Sequence, residues 1–331
     1  VVADHQGRQD HGELTAGYRR HDGIAANRPA SRNIQESHRF RTIPPRQYHL
    51  DFAGRVGKAD AIKTWEEPMK NSFLSALFFC VALAVAIQVD AARAELKKQW
   101  IDYQDGDKAL SGYLVYDDAV TGKRPGVLLA HSRAGMSEAT LRDSDMIARL
   151  GYVVFAADIF GKGILPKEVP EMTALTTIYN QDRPLMRKRT VAGFDVLKSN
   201  PLVDSTKLAV IGYCFGGTVA VELAETGVPV VGVISVHGSF RNFTPELARN
   251  IKGRVLILHG AEDPVAPLTE VSALVDQLRA AKIDFELQIF SGTQHAFTNP
   301  QNAAEQRADR EYKVAATRFL KEVFGSEIAS K

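Results

Sequence analysis

From residue 95 onward the apolar positions fall into short runs whose period changes along the chain. Lys98 to Tyr116 (KQWIDYQDGDKALSGYLVY) alternates apolar and polar residues around a D-G-D turn, the pattern of an antiparallel hairpin. Pro125–His131 (PGVLLAH) is a continuous apolar run ending in small residues, as expected of a strand buried on both faces. A helical period follows from Ser137 to Leu150, with apolar residues at Leu141, Met146, Ile147 and Leu150, and Gly151 stops it. Tyr152–Phe160 predicts the next strand. A loop containing Gly and Pro then leads to a helix from Pro184 to Ser199. The strand KLAVIGYC, a helix over Gly217–Glu225 and the strands VPVVGVISVHG and RVLILHG come next. A helix over Leu268–Ala281, the strand DFELQIF and a closing helix over Ala303–Phe324 complete the pattern. Strands and helices alternate nearly throughout. The fold class is therefore α/β, with a mostly parallel central sheet flanked by helices on both faces and an N-terminal antiparallel hairpin. In such sheets ligands bind beyond the carboxyl ends of the strands.

The first part of the chain has a different character. Residues 1–68 are rich in Arg, His, Gln and Asp and show neither helical nor strand periodicity, so an upstream extension without a core of its own is expected there. At Met69 a basic Lys70, an apolar run from Phe73 to Ile87 and then small residues follow, the layout of a secretory signal peptide. Ala92-Arg93-Ala94 and Val89-Asp90-Ala91 are two candidate cleavage sites. A membrane anchor is the competing reading of this run, which is short for a span of about 20 residues and ends at Gln88 and Asp90. The signal-peptide reading takes 69–94 as the leader and 95–331 as the mature domain, periplasmic or secreted, without a stable membrane anchor. Of the two cysteines, Cys80 would leave with the leader, and Cys214 would have no disulfide partner. The net charge of +2 gives no reason to expect nucleic acid as a partner. Nothing in the sequence sets the oligomeric state.

The chemistry concentrates at strand ends. Gly212–Gly217 (G-Y-C-F-G-G) follows an apolar strand and opens a helix, the strand–turn–helix pattern of a nucleophile elbow with Cys in place of Ser. A free cysteine at a strand end is otherwise most often a packed apolar residue. The flanking glycines and the adjoining helix N-terminus, which favours a thiolate, point instead to a nucleophile. Such a nucleophile needs a base and an orienting acid. Four histidines, His131, His237, His259 and His295, each lie near a strand end, and chain order chooses among them: nucleophile, acid, histidine. That order selects Asp263, after RVLILHG, and His295, after DFELQIF. His259 reads as structural, and His237 as lining the site without acting.

The segments GVLLAHSRAG, LGYVVFAADIFGKG, LAVIGYCFGG, LILHGAEDPVAP and GTQHAF resemble the dienelactone hydrolase family of α/β-hydrolases, from Pro125 to Phe324. The resemblance implies an α/β-hydrolase fold and a Cys214, Asp263, His295 triad. It also implies an oxyanion hole from the backbone N–H groups of Phe215 and Arg133. Two positions depart from the family pattern. Ser132 stands where members carry a glutamate near the resting thiol, and Asn299 where an arginine holds the substrate carboxylate. Ser132, His237 and Asn299 are the candidate substrate contacts. Arg183, Arg187 and Arg189 could supply the missing cation, although their spacing reads as a solvated helix face.

The expected activity is hydrolysis of a small-molecule ester or lactone through an acyl-thioester. The sequence carries no compact metal-ligand motif and no phosphate-binding Gly-rich loop, so no cofactor is expected. A non-catalytic module that binds a small ligand on the same fold is the alternative. A thiol redox sensor would leave Asp263 and His295 unexplained.

Overall fold

The computed structural model describes residues 95–241 and 243–325, and the leader and extension expected within residues 1–94 lie outside them. The hairpin forms as expected from β1 (Leu96–Asp105) and β2 (Lys108–Asp117), paired from Leu96 opposite Asp117 to Asp105 opposite Lys108. The other strands are β3 (Arg124–Ala130), β4 (Val153–Ala157), β5 (Val203–Tyr213), β6 (Gly232–Val236), β7 (Arg254–Gly260) and β8 (Phe285–Phe290). They form one sheet in the order β1-β2-β4-β3-β5-β6-β7-β8. β2 joins it antiparallel to β4, and every pairing from β4 to β8 is parallel.

Among the described residues six α-helices flank the sheet: α1 (Glu138–Ala148), α2 (Val169–Gln181), α3 (Arg183–Ser199), α4 (Phe215–Ala224), α5 (Leu268–Ala280) and α6 (Ala303–Phe324), the last after the final strand. A 3-10 turn spans Pro245–Asn250. Strand side chains alternate between two cores. Val127, Leu129, Ala209 and Ile211 pack with α1 and α6 on one face. Leu128, Leu208 and Val210 pack with α3, α4 and α5 on the other. Because both faces are covered, β3 to β7 read as continuous apolar runs rather than as alternation. Each fully buried Val, Leu or Ile contributes roughly 1.5–3 kcal/mol of transfer free energy.

Helix α2 falls in the stretch expected to be a loop. Its apolar signal is weak, because of its residues only Tyr179 is buried. Local chemistry starts it instead. Glu168 and Glu171 form a capping box and Pro170 occupies the first turn. Glutamate is an unusual N-cap, which hides the signal. The strand expected over Tyr152–Phe160 ends at Ala157, because Asp158 turns the chain by accepting hydrogen bonds from the Ser111 and Gly161 amides at 3.1 and 2.9 Å. Helix α4 starts at Phe215, directly after Cys214 and two residues earlier than its apolar pattern suggests.

Candidate active site

The site lies at the carboxyl ends of β3, β5, β7 and β8. Cys214 follows β5 and takes φ 57°, ψ −119°, a conformation that costs a non-glycine residue roughly 1–3 kcal/mol. Close packing holds it there. A Cβ on Gly212 would overlap the carbonyl of Gly216, and one on Gly216 would overlap the carbonyl of Ala130. Only glycine lets α4 leave the end of β5 this close to β3.

Three side chains from separate loops then meet. His295 Nε2 lies 3.0 Å from Cys214 Sγ, and His295 Nδ1 lies 2.8 Å from Asp263 Oδ2. The second carboxylate oxygen of Asp263 accepts from the amides of Val265 and Ala266, both at 2.9 Å. Burial alone would raise the Asp263 pKa, but the hydrogen bonds from His295 and Ala266 hold it below the usual carboxylate range. Burial alone would also lower the His295 pKa, yet its bonds to Asp263 and Cys214 raise it to about 9. For Cys214, burial disfavours the thiolate. The His295 hydrogen bond and charge outweigh it, and the Phe215 and Arg133 amides also reach the sulfur, so its pKa is lowered. The Cys214 and His295 shifts both run in the direction of a thiolate–imidazolium pair, each stabilised by the hydrogen bond and charge of the other.

The other expected residues fall elsewhere. His259 is fully buried and its Nε2 lies 2.7 Å from the carbonyl of Ala266, which it braces behind Asp263. His131 lies 2.8 Å from the Ser132 carbonyl through Nδ1 and accepts from the Ile159 amide through Nε2, so it ties the loops after β3 and β4. The candidate substrate contacts Ser132, His237 and Asn299 do not line the cavity beside the thiol. The Ser132 hydroxyl accepts from the Ala134 amide at 3.3 Å. Asn299 is exposed, and its backbone carbonyl accepts from the Gln301 side chain. His237 is buried beneath Cys214.

That cavity holds about 420 Å³ and opens over Cys214, Phe215 and His295. Much of one wall is α2, where Thr173, Thr176, Thr177 and Asn180 recur at i, i+3, i+4 and i+7. The threonine hydroxyls donate back to Val169, Met172 and Thr173 carbonyls at 2.9, 2.9 and 2.7 Å, so the cavity meets methyl groups and oxygen lone pairs. The T-x-x-T-T-x-x-N spacing is present in the sequence, but inside the stretch expected to be a loop. Arg133, Arg183 and Arg241 also line the cavity, with no Asp or Glu among the lining residues. Arg241 pairs with Glu270. Among the described residues Arg133 makes no ion pair, and no group of three His, Cys, Asp or Glu side chains could hold a metal ion.

The solvated face expected of Arg183, Arg187 and Arg189 is absent. Their side chains are 11%, 19% and 13% exposed, the first two paired with the buried Glu222 and the third with Asp105. Acidic partners 35 or more residues away hold them in, which helix spacing alone does not reveal.

A cysteine elbow with Asp263 and His295 behind it on this sheet agrees with the match of residues 110–324 to the dienelactone hydrolase family. The chain belongs to the dienelactone hydrolase family. Its curated relatives include the carboxymethylenebutenolidase homolog of Rattus norvegicus, 27% identical over 179 residues, which is 54% of this chain and 71% of that protein. Among solved structures, m3DLH is 32% identical with a TM-score of 0.66, covering 69% of this chain and 99% of that one. A dienelactone hydrolase-like promiscuous phosphotriesterase from metagenomic libraries is 29% identical with a TM-score of 0.65, at the same coverage. As a dienelactone hydrolase family member the protein is a carboxylic-ester hydrolase, and the family implies a small-molecule ester or lactone as substrate.

Proposed function

We propose that the protein hydrolyses its ester or lactone through a covalent thioester on Cys214, with His295 as acid and base and Asp263 as its orienting partner. The observation that carries this reading is the continuous chain Cys214 Sγ, His295, Asp263 at 3.0 and 2.8 Å, assembled from three strand ends. The thiolate attacks the carbonyl carbon, and the carbonyl electron pair moves onto oxygen. The Phe215 and Arg133 amides, which converge on the sulfur in the resting site, then stabilise that oxygen. Such a donor contributes roughly 3–4 kcal/mol in the transition state. Collapse breaks the carbon–oxygen bond, and the leaving alkoxide takes the proton of the His295 imidazolium. In a lactone the alcohol stays tethered to the acyl group. Neutral His295 next takes a proton from water as the water oxygen attacks the thioester. Expulsion of the thiolate releases the acid and restores the thiolate–imidazolium pair.

The cavity supports a substrate with an anionic group, because three arginines and no carboxylate line it and Arg133 is the one without an acidic partner among the described residues. The leader pattern at 69–94 supports export before the enzyme acts. N-terminal sequencing of the natural protein tests this, with a start at Glu95 expected and a peptide from residues 1–68 overturning it.

The test of the reaction is turnover of a panel of aryl esters and lactones, with intact-mass detection of the acylated protein. An acyl adduct that maps to Cys214 and disappears in Cys214→Ala is expected. A wild-type protein that neither turns over the panel nor takes up an acyl group overturns the reading and leaves a ligand-binding module.

A further inference from the structure

We propose that His237 is a positioning residue, a neutral strut that ties the backbone of Cys214 to the loop carrying His295. Its rate readout rests on the thioester reading above. The need for such a strut follows from the sheet order. Cys214 follows β5 and His295 follows β8, with β6 and β7 between them. No ladder hydrogen bond joins β5 to β8 directly, so the 3.0 Å approach of sulfur and imidazole depends on the loops beyond the strands.

His237 directly follows β6, between the two. Its φ of 42° is rare for a residue with a side chain, and it turns the ring back under the elbow. Nδ1 accepts from the Cys214 amide at 3.0 Å, and the same amide also reaches the Val236 carbonyl at 3.0 Å. With the Nδ1 lone pair engaged, the ring proton sits on Nε2 and is donated to Thr298 Oγ1 at 3.2 Å, three residues beyond His295. The ring also packs edge-on against His295 at 5.0 Å and Phe297 at 5.3 Å between centroids. One buried side chain thus touches the backbone of the nucleophile, the ring of the base and the loop that carries the base.

The strut works only while neutral. A proton on Nδ1 would break the bond from the Cys214 amide. It would also place a second positive charge beside the His295 imidazolium. Burial keeps the ring neutral, with its pKa lowered to about 3, and the charged or titratable groups facing it are His295, Asp263, His259 and Tyr213, whose ring centroid lies 6.4 Å away. Removing the strut should loosen the register of sulfur and imidazole, and a misplacement of about 1 Å at a reacting centre costs about 100-fold in rate.

Three variants test this: His237→Phe removes both hydrogen bonds, His237→Asn keeps an acceptor near the Nδ1 position, and Thr298→Val removes the far bond alone. The readouts are kcat and KM with an aryl ester, the pH profile of Cys214 alkylation by iodoacetamide, and thermal unfolding. His237→Phe is expected to lower kcat about 10- to 100-fold with KM within about twofold, and to move the rise of alkylation to higher pH. His237→Asn should recover much of kcat, and Thr298→Val should shift both readouts the same way by less. A wild-type alkylation profile in His237→Phe, or His237→Asn as impaired as His237→Phe, overturns the proposal. Should His237→Phe not fold, a wild-type rate and alkylation profile in Thr298→Val overturn it. Absence of turnover in the wild type would sink the thioester reading alone, because the alkylation profile tests the strut without it.

Discussion

Asp263→Asn separates what the carboxylate does for the chemistry from what it does for the fold. The asparagine Oδ1 can keep the Val265 and Ala266 amides, which now bond to one carboxylate oxygen at 2.9 Å. The change falls on the other side, where an amide N–H replaces the oxygen that faces His295 Nδ1 at 2.8 Å. Two donors then face each other, and the ring escapes by carrying its proton on Nε2, where it no longer accepts a proton from sulfur or water. Raising His295 from 6.5 to about 9 favours its charged form by about 3 kcal/mol, at 1.36 kcal/mol per pH unit. Asp263 and Cys214 both contribute to this rise, against the burial that opposes it.

In the proposed mechanism activity needs the thiolate, so the rate should rise as Cys214 loses its proton. It also needs the imidazolium to protonate the leaving alcohol, so the rate should fall as His295 loses its proton near pH 9. In Asp263→Asn the alkaline limb of kcat/KM should move to lower pH, because the Asp263 hydrogen bond and charge that raise the His295 pKa are lost. The pH-independent kcat should drop about 10²- to 10⁴-fold, the range expected for losing a positioned acid–base group. Thermal stability should change little. Asp263→Ala should instead also destabilise, because two amides lose their acceptor at about 1–3 kcal/mol each. An Asp263→Asn enzyme whose alkaline limb stays at its wild-type pH, with kcat reduced less than threefold, would refute the assignment of Asp263 as the partner of a charged His295.

Other consequences are checked separately. Glu222→Ala should destabilise by about 3–5 kcal/mol in chemical denaturation, because it strands the buried Arg183 and Arg187 guanidiniums. Glu225 is buried with neither carboxyl oxygen hydrogen-bonded, and burial and the nearby Glu222 raise its pKa from 4.5 to about 8. A raised carboxyl pKa costs stability as pH climbs from 4.5 towards 8. Glu225→Gln should therefore unfold at higher denaturant than wild type by a margin that grows over this range, up to about 5 kcal/mol. Arg133→Ala keeps the backbone N–H that faces the sulfur, so turnover of a neutral aryl ester should stay within about twofold. KM for a carboxylate-bearing ester should rise about tenfold, the loss of one charge-assisted hydrogen bond. Equal effects on both substrates would count against an anionic substrate.

The sheet was legible because each buried strand carries its own signal: runs such as Val127–Ala130 and Leu208–Ile211 are apolar without interruption, and small residues or glycine end them. The polar wall of the cavity was not. Helix α2 buries one residue and is started by a glutamate capping box, so neither amphipathic periodicity nor a usual N-cap announces it. What the sequence could not supply there is the cavity itself, since a threonine stripe facing a cavity and one facing solvent are written identically.

The site divides along the same line. Cys214, Asp263 and His295 were readable because each is fixed by its own strand end, so a one-dimensional order maps onto a three-dimensional meeting point. Arg183, Arg187 and Arg189 were misread because their environment is set by Glu222, on α4, and Asp105, on β1. Without those carboxylates, burying three cations would be prohibitive and a solvated face the sound expectation. His237 is the intermediate case. Its place at a strand end marked it as near the site, but its role depends on which nitrogen accepts. That follows from the amide of Cys214 standing 3.0 Å from Nδ1, a relation between two strained residues on neighbouring strands. Residues fixed by their own element can be read in sequence; residues whose state is set by a partner across the sheet require the fold.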